Sequence, residues 1–163
     1  MTKILFVCMG NICRSPTAEG VLRHFARELG IDASLTIDSA GTIGFHAGEA
    51  PDKRAIQHAA KRGYDLTAIR ARQINQPDYE FFDQILAMDK QNIIWLKKQI
   101  PDEYAHKLRL FLDFSDKYAG RDVPDPYYGN AKGFEIVLDM AEDGARGLIA
   151  HLLENETADL NKK

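Results

Sequence analysis

The stretch ILFVCMGNICRSPTAEG, at positions 4–20, carries the clearest structural signals in this chain. It opens with the apolar run of residues 4–7, whose length and β-branched residues are typical of a buried parallel strand. The dipeptide Ser15-Pro16 has the residue types of a helix N-cap and of the first helical position. Before it lies Gly10-Asn11, two residues that tolerate a positive φ angle. The pattern predicts a strand, a tight loop and a helix, which together direct backbone N–H groups toward one point.

This loop also holds the residues of a candidate anion-binding and nucleophilic site. The loop amides and the positive end of the helix favour a tetrahedral anion, and the planar guanidinium of Arg14 can bind two phosphate oxygens. A thiol beside an arginine and a helix N-terminus ionises readily, so Cys8 is expected to be a thiolate at neutral pH. Ser15 is placed to donate a hydrogen bond to that sulfur. Attack of Cys8 on phosphorus, with a covalent intermediate, is the chemistry that this loop suits. A buried structural cysteine is the alternative, but it leaves Arg14 without a role.

The rest of the chain alternates predicted strands and helices. The predicted strands are residues 4–7, 35–41, 84–88 and 108–112, and the predicted helices are residues 16–29, 51–62, 89–100 and 132–153. Asp89 is the predicted N-cap of the third of these helices. Strands that alternate with helices predict an α/β fold, here a single doubly wound, four-stranded parallel sheet flanked by helices, with the phosphate loop after the first strand. Residues 1–154 are predicted to form this domain, and residues 155–163 a frayed polar C-terminal tail.

Composition excludes several other classes of protein. A chain of 163 residues with 45% hydrophobic residues can build one core, and a net charge of −3 gives no general attraction to nucleic acid or to anionic membranes. No apolar run approaches the roughly 20 residues of a membrane span, so no membrane insertion is expected. The two cysteines, Cys8 and Cys13, both lie in the loop, which indicates a cytoplasmic protein without a structural disulfide. The five histidines show no metal-ligand spacing, so neither a metal nor another cofactor is expected.

Two motifs together resemble the low-molecular-weight protein tyrosine phosphatases. The first is Cys-x5-Arg-Ser at residues 8–15, close to the N-terminus, and the second is the run Asp-Pro-Tyr-Tyr at residues 125–128. The resemblance extends in length and element order to about Glu154. It implies metal-independent hydrolysis of phosphotyrosine monoesters on proteins through a phosphocysteine intermediate. The implied partner is a phosphotyrosine-containing protein, a tyrosine kinase being one option, and the implied state is a monomer or a weak dimer.

The second motif supplies a candidate general acid. Loops that follow the strands of a doubly wound sheet meet at the carboxyl edge, so the segment after the fourth strand can reach Cys8. A departing tyrosyl oxygen needs a proton there. The carboxyl groups of this segment are Asp113, Asp116, Asp122 and Asp125. We favour Asp125 because Pro124 and Pro126 fix its backbone in an extended form. A rigid Pro-Asp-Pro turn without a catalytic role is the alternative.

The resemblance also implies roles for further residues. Phosphate-binding positions are Met9, Gly10, Asn11, Ile12, Cys13 and Ser15. Phe45 and the pair Tyr127 and Tyr128 match aromatic positions that hold the substrate ring from opposite sides, although Phe45 could instead pack on the core. Ser39 matches a residue that hydrogen-bonds the loop asparagine, and an ordinary strand-end serine is an equally weighted alternative.

Three positions refine the resemblance. Ile12 matches the tyrosine-specific branch, whereas arginine-phosphatase relatives carry threonine there. Many members have a histidine bonded to the loop asparagine where this chain has Ile69, so that part of the network is absent or replaced. The family also forms a disulfide between the residues matching Cys8 and Cys13 under oxidants, and a small packed residue at Cys13 is the alternative.

Two other functions compete with the phosphatase. A thioredoxin-linked arsenate reductase shares the loop, but its disulfide relay needs additional cysteines late in the chain, and this sequence has none after Cys13. A non-catalytic phosphotyrosine-binding module would have lost its nucleophile or its acid, whereas Cys8 and Asp125 are both present. The sequence therefore favours the phosphatase.

Overall fold

A four-stranded sheet forms the centre of the computed structural model, which describes residues 1–162. Its strands are β1 (Thr2–Cys8), β2 (Leu35–Gly41), β3 (Gln84–Ala87) and β4 (Leu108–Leu110). All neighbouring strands are parallel, in the order β2-β1-β3-β4. The predicted fold class, a doubly wound parallel α/β sheet, is confirmed.

The central strand explains why both faces of the sheet are covered. Ile4 and Phe6 belong to the apolar cluster on one face, and Leu5 and Val7 belong to the cluster on the other. All four side chains are fully buried, as the continuous apolar run predicted. The sheet therefore needs helices on both sides, and a parallel sheet supplies them through its crossover connections.

Five α-helices supply those two layers. They are α1 (Arg14–Glu28), α2 (Lys53–Lys61), α3 (Gln76–Phe81), α4 (Lys90–Gln99) and α5 (Ala131–Leu160). Helices α1, α2 and α5 contribute side chains to the cluster that contains Phe6, whereas α3 and α4 contribute to the cluster that contains Leu5. Short 3-10 helices connect the remaining segments at Asp32–Ser34, Asp102–Lys107 and Phe111–Phe114.

Two elements differ from the sequence prediction. The fourth strand ends at Leu110, and Phe111–Phe114 forms a 3-10 helix whose Phe111 is fully buried against α5. An apolar run of this length is compatible with either conformation, so periodicity alone did not separate them. Helix α3 was not predicted, because six residues are too few for a periodic signal. Its boundary signals are present nevertheless, with Asn75 and Asp78 forming a capping box.

The last helix is longer than predicted. It begins after Asn130, whose side chain accepts a hydrogen bond from the backbone N–H of Lys132, and it continues to Leu160 instead of ending at Leu153. The residues beyond 153 are exposed and contain good helix formers, so the helix extends past its packed part. The polar tail predicted from residue 155 thus begins as helix. Neither α5 nor another helix within residues 1–162 is long and apolar enough to cross a membrane.

Candidate active site

The loop of residues 9–13 joins β1 to α1 at the carboxyl edge of the sheet. Asn11 takes the left-handed conformation with a φ of 58°, which asparagine tolerates better than most residues. The carbonyl oxygen of Cys8 accepts a hydrogen bond of 2.9 Å from the N–H of Thr42, beyond β2. A Cβ atom at Gly41 would lie only 2.6 Å from a loop carbonyl oxygen, so β2 approaches the loop closely. The neighbouring strand therefore fixes the shape of the loop.

The sulfur of Cys8 has two hydrogen-bond partners. The backbone N–H of Asn11 donates to Sγ at 3.2 Å, and Ser15 Oγ lies 3.0 Å from Sγ. Ser15 Oγ also accepts a bond of 2.8 Å from Asn11 Nδ2, which leaves its own hydrogen for the sulfur. Both donors favour a negatively charged sulfur. Cys8 is buried at the edge of an apolar cluster, but its sulfur has polar partners and lines a pocket, unlike that of a structural cysteine in an apolar core.

Ser15 differs from its predicted place in the helix. Helix α1 begins at Arg14, and its N-cap is Cys13, which makes no side-chain capping bond. Ser15 therefore lies inside the first turn instead of capping it. Its hydroxyl is directed to the sulfur, which is the contact that the sequence predicted for it.

Asn11 connects the loop to two other segments. Its Nδ2 donates to Ser39 Oγ at 2.9 Å, and its Oδ1 accepts a bond of 3.0 Å from the backbone N–H of Arg72. Ser39, on β2, thus contacts the loop asparagine and is more than an ordinary strand-end serine. The Arg72 amide thus supplies a donor to the asparagine, whose network the sequence analysis expected to lack or replace a contact at Ile69. Ile69 packs against the apolar core.

A buried carboxyl group extends this network. Ser39 Oγ donates to Glu19 Oε2 at 3.3 Å, and Arg23 Nη2 lies 3.2 Å from Glu19 Oε1. The pKa of Glu19 is raised to about 7 because burial disfavours the carboxylate. Arg23 opposes this shift and Asp38 adds to it. The sequence analysis did not single out Glu19, since a glutamate on an amphipathic helix has no distinguishing signal.

Glu19 should make the protein less stable as the pH rises. Its pKa in the folded protein, about 7, exceeds its ordinary value, so the folded state loses relative stability between about pH 4.5 and pH 7. The loss is expected to be on the order of 3 kcal/mol. Urea denaturation at pH 5 and pH 8 should show a smaller difference for Glu19→Gln than for the wild type. Glu156→Gln, at an exposed position on α5, is the control and should retain the wild-type difference. An unchanged difference in Glu19→Gln would contradict this assignment.

The guanidinium of Arg14 is held by a carboxylate that the sequence analysis assigned only to a helix cap. Arg14 Nη1 donates to Asp89 Oδ2 at 2.5 Å and to the carbonyl oxygen of Val123 at 3.1 Å. The other oxygen of Asp89 caps α4 by accepting from the N–H of Asn92 at 2.7 Å. Burial lowers the pKa of Arg14, but the charge of Cys8 and the bond to Asp89 outweigh this effect, so the pKa lies above its ordinary value. Arg14 is therefore a fixed cation.

Of the four aspartates in the segment after β4, Asp125 is the one that lines the pocket with Cys8 and Arg14. Its Oδ2 lies 3.8 Å from Arg14 Nη2, and its Oδ1 accepts a bond of 3.0 Å from the N–H of Tyr127. Its side chain is 43% exposed, so it can meet both substrate and solvent. Asp122, by contrast, accepts from the N–H of Lys90 at 3.1 Å. Asp113 and Asp116 line a different surface depression.

These groups line a pocket of about 270 Å³. Its lining consists of Cys8, Met9, Gly10, Ile12, Cys13, Arg14, Ile43, Phe45, His46, Asp125, Tyr127 and Tyr128. Phe45 is 81% exposed and lines the pocket, so it does not pack into the core. His46 and Ile43 were not predicted, because a loop without periodicity gives no signal for them. Around this pocket and elsewhere in residues 1–162, no three His, Cys, Asp or Glu side chains are grouped so as to hold a metal ion.

The second loop cysteine differs from the first in its surroundings. Cys13 and Cys8 are both free thiols. Burial raises the pKa of Cys13 well above its ordinary value, and the charge of Asp52 raises it further. Cys13 therefore stays protonated at neutral pH.

Comparison with known proteins identifies the family. Residues 3–158 match the family model described as low molecular weight phosphotyrosine protein phosphatase. A low molecular weight protein-tyrosine-phosphatase from Streptomyces coelicolor is 41% identical over 155 residues, which cover 93% of this chain and 94% of that protein. A crystal structure of protein tyrosine phosphatase from Entamoeba histolytica with Hepes in the active site is 39% identical, with a TM-score of 0.92, and the match covers 96% of this chain and 99% of that one. A structure of YfkJ from Bacillus subtilis is 35% identical with a TM-score of 0.89, over 95% of this chain and 96% of that one. The chain therefore belongs to the low molecular weight phosphotyrosine protein phosphatase family, whose enzymes depend on a cysteine.

Proposed function

We propose that this protein hydrolyses phosphotyrosine monoesters on proteins through a phosphocysteine intermediate, without a metal. The observation that carries the proposal is the environment of the Cys8 sulfur, which receives two hydrogen bonds at the floor of a pocket that also contains Arg14 and Asp125. Phosphoryl transfer by this route requires three groups, namely a nucleophile, a fixed cation and a proton donor.

The first step is attack of the Cys8 thiolate on phosphorus. The sulfur–phosphorus bond forms as the bond between phosphorus and the tyrosyl oxygen breaks. Arg14 and the loop amides bind the equatorial oxygens and the charge that they carry. Asp125 gives its proton to the departing tyrosyl oxygen, so that a neutral phenol leaves.

The second step restores the enzyme. Asp125, now ionised, takes a proton from a water molecule that attacks phosphorus opposite the sulfur. The phosphorus–oxygen bond of inorganic phosphate forms, and the thiolate of Cys8 leaves. Ser15 and the amide of Asn11 stabilise that thiolate, because both donate to the sulfur. The positive charge in both steps comes from Arg14 and the loop.

The walls of the pocket support an aromatic substrate. Phe45 and Tyr127 are exposed rings that line it, and a flat phenyl group can stack between such rings. Ile12 favours tyrosine over arginine as the phosphorylated residue through the family resemblance. The proposed partner is therefore a phosphotyrosine-containing protein, a tyrosine kinase being one option, and the proposed location is the cytoplasm.

A redox role of the two loop cysteines is a further part of this proposal. A sulfenic acid on Cys8 and the thiol of Cys13 could condense to a disulfide with loss of water, which would protect Cys8 from irreversible oxidation. The raised pKa of Cys13 makes this condensation slow, because the thiolate is the attacking form.

The intermediate and the metal independence can be tested together. Turnover of para-nitrophenyl phosphate should be unchanged after dialysis against EDTA, because no step uses a metal. Rapid quenching into a denaturant at alkaline pH during turnover of a phosphotyrosine peptide should trap one phosphoryl group, located by peptide mass spectrometry on Cys8. The Cys8→Ser protein, treated identically, is the control and should trap none. Loss of activity in EDTA, or a phosphoryl group on another residue, would overturn the mechanism.

A further inference from the structure

Four exposed apolar side chains surround the mouth of the pocket. They are Met9, Ile43, Phe45 and Tyr128, and we refer to them as the apolar collar. Their exposed fractions are 51%, 39%, 81% and 94%. Single exposed apolar residues are common on protein surfaces, but a group of them around one opening indicates a surface that contacts another molecule.

The backbone holds this collar in place. The N–H of Ile43 donates to the carbonyl oxygen of Met9 at 3.1 Å, which keeps the two residues side by side. On the other side of the pocket, the ring of Tyr128 meets that of Tyr127 edge to face, with centroids 4.9 Å apart. The collar therefore extends the pocket outward from the substrate ring to the residues on either side of it in the substrate chain.

The charged groups beside the collar do not favour an acidic partner. The Arg54 guanidinium donates to both oxygens of Asp52, at 3.0 and 2.9 Å, and to the carbonyl oxygen of Tyr127 at 3.0 Å. His46 is bonded to Glu49 at 2.7 Å. The Arg54 guanidinium and the His46 ring are thus each already bonded to a carboxylate, and a substrate carboxylate would meet these acidic neighbours.

Building on the proposed function, we propose that the apolar collar binds apolar side chains next to the phosphotyrosine of the substrate protein, and that the enzyme selects against acidic neighbours. The collar is continuous with the substrate pocket, consists of large apolar groups, and lies beside the Arg54–Asp52 and His46–Glu49 pairs. The collar then contributes to the choice among phosphotyrosine sites, whereas the loop and Arg14 recognise the phosphate that all such sites share.

Three phosphotyrosine peptides test this proposal. They are identical except that leucine, serine or glutamate occupies the positions on both sides of the phosphotyrosine. We expect kcat/KM for the leucine peptide to exceed that for the serine peptide by about three- to tenfold, from the apolar area that it buries. The glutamate peptide should be slower than the serine peptide at low salt, and this second difference should shrink at high salt. Equal rates for the leucine and serine peptides, or a faster glutamate peptide, would overturn the proposal.

A variant assigns the preference to the collar. Ile43→Ser should reduce the ratio of leucine to serine peptide at least twofold. Since Ile43 also lines the pocket, its rate with para-nitrophenyl phosphate, which has no flanking residues, is measured alongside, and any uniform change in that rate cancels in the peptide ratio. Leu153→Ser is the matched control, since Leu153 is similarly exposed (42%) but lies on α5 away from the pocket, and it should keep the wild-type ratio. An unchanged ratio in Ile43→Ser would overturn the role of the collar. Failure of the wild type to turn over para-nitrophenyl phosphate would instead refute the proposed function.

Discussion

Replacing Cys8 with serine is expected to lower turnover of para-nitrophenyl phosphate by roughly 10⁴-fold or more, to the background rate. A serine hydroxyl stays protonated at neutral pH, whereas the donors at Asn11 and Ser15 are placed to stabilise a thiolate. The oxygen also reaches less far toward phosphorus than sulfur does. The measurement is the initial rate at saturating substrate, with circular dichroism to verify folding.

Binding measurements distinguish a lost nucleophile from a damaged pocket. The Cys8→Ser protein should still bind a phosphotyrosine peptide in isothermal titration calorimetry, because Arg14 and the loop amides remain. Cys13→Ser is the comparison, and it should lose far less activity than Cys8→Ser because the Cys13 thiol stays protonated and takes no part in the attack. A Cys8→Ser enzyme within tenfold of the wild type would remove the basis of the mechanism.

Replacing Asp125 with alanine is expected to slow hydrolysis of a phosphotyrosine peptide by roughly 10² or more. Without the carboxyl group, the tyrosyl oxygen must leave as an anion. The effect should therefore depend on the leaving group. The loss of rate should be large for phenyl phosphate, whose phenol leaving group has a high pKa. It should be much smaller for dinitrophenyl phosphate, because the dinitrophenolate that leaves is already a stable anion.

Asp122→Ala is the matched control for Asp125→Ala. Asp122 lies on the same segment, but its side chain bonds to Lys90 and does not line the pocket. Its variant should keep the wild-type rate with both leaving groups. If Asp125→Ala showed the same loss with both leaving groups, its role would be structural and the acid would have to be sought elsewhere.

Local patterns predicted the parts of the site that lie close together in the chain. The positions of Cys8, Asn11, Arg14 and Ser15 within residues 8–15 predicted that they would meet, because a strand end, a loop and a helix start confine them to a small volume. Tyr127, Tyr128 and Asp125 were assigned to the site through the family resemblance, and in the structure all three line the same pocket. Their catalytic and binding roles stay predictions until the variants are measured.

The parts that sequence reasoning missed are contacts between distant segments. Asp89 was predicted as the cap of α4, but the bond from its second oxygen to Arg14 depends on β3 ending beside the loop. The backbone amide of Arg72 carries no side-chain signal at all, yet it bonds Asn11. Glu19 and Ser39 meet only because α1 packs beside β2. Such contacts follow from the tertiary arrangement, which residue types and spacing in one sequence do not specify.

The pairing of Arg14 with Asp89 has a consequence for the entropy of catalysis. A flexible arginine would lose its rotational freedom each time a phosphate bound, and that loss would weaken binding. Here the side chain is already immobilised by the fold through a carboxylate and a backbone carbonyl. Folding has thus ordered the cation once, and each encounter with substrate can begin from the productive orientation.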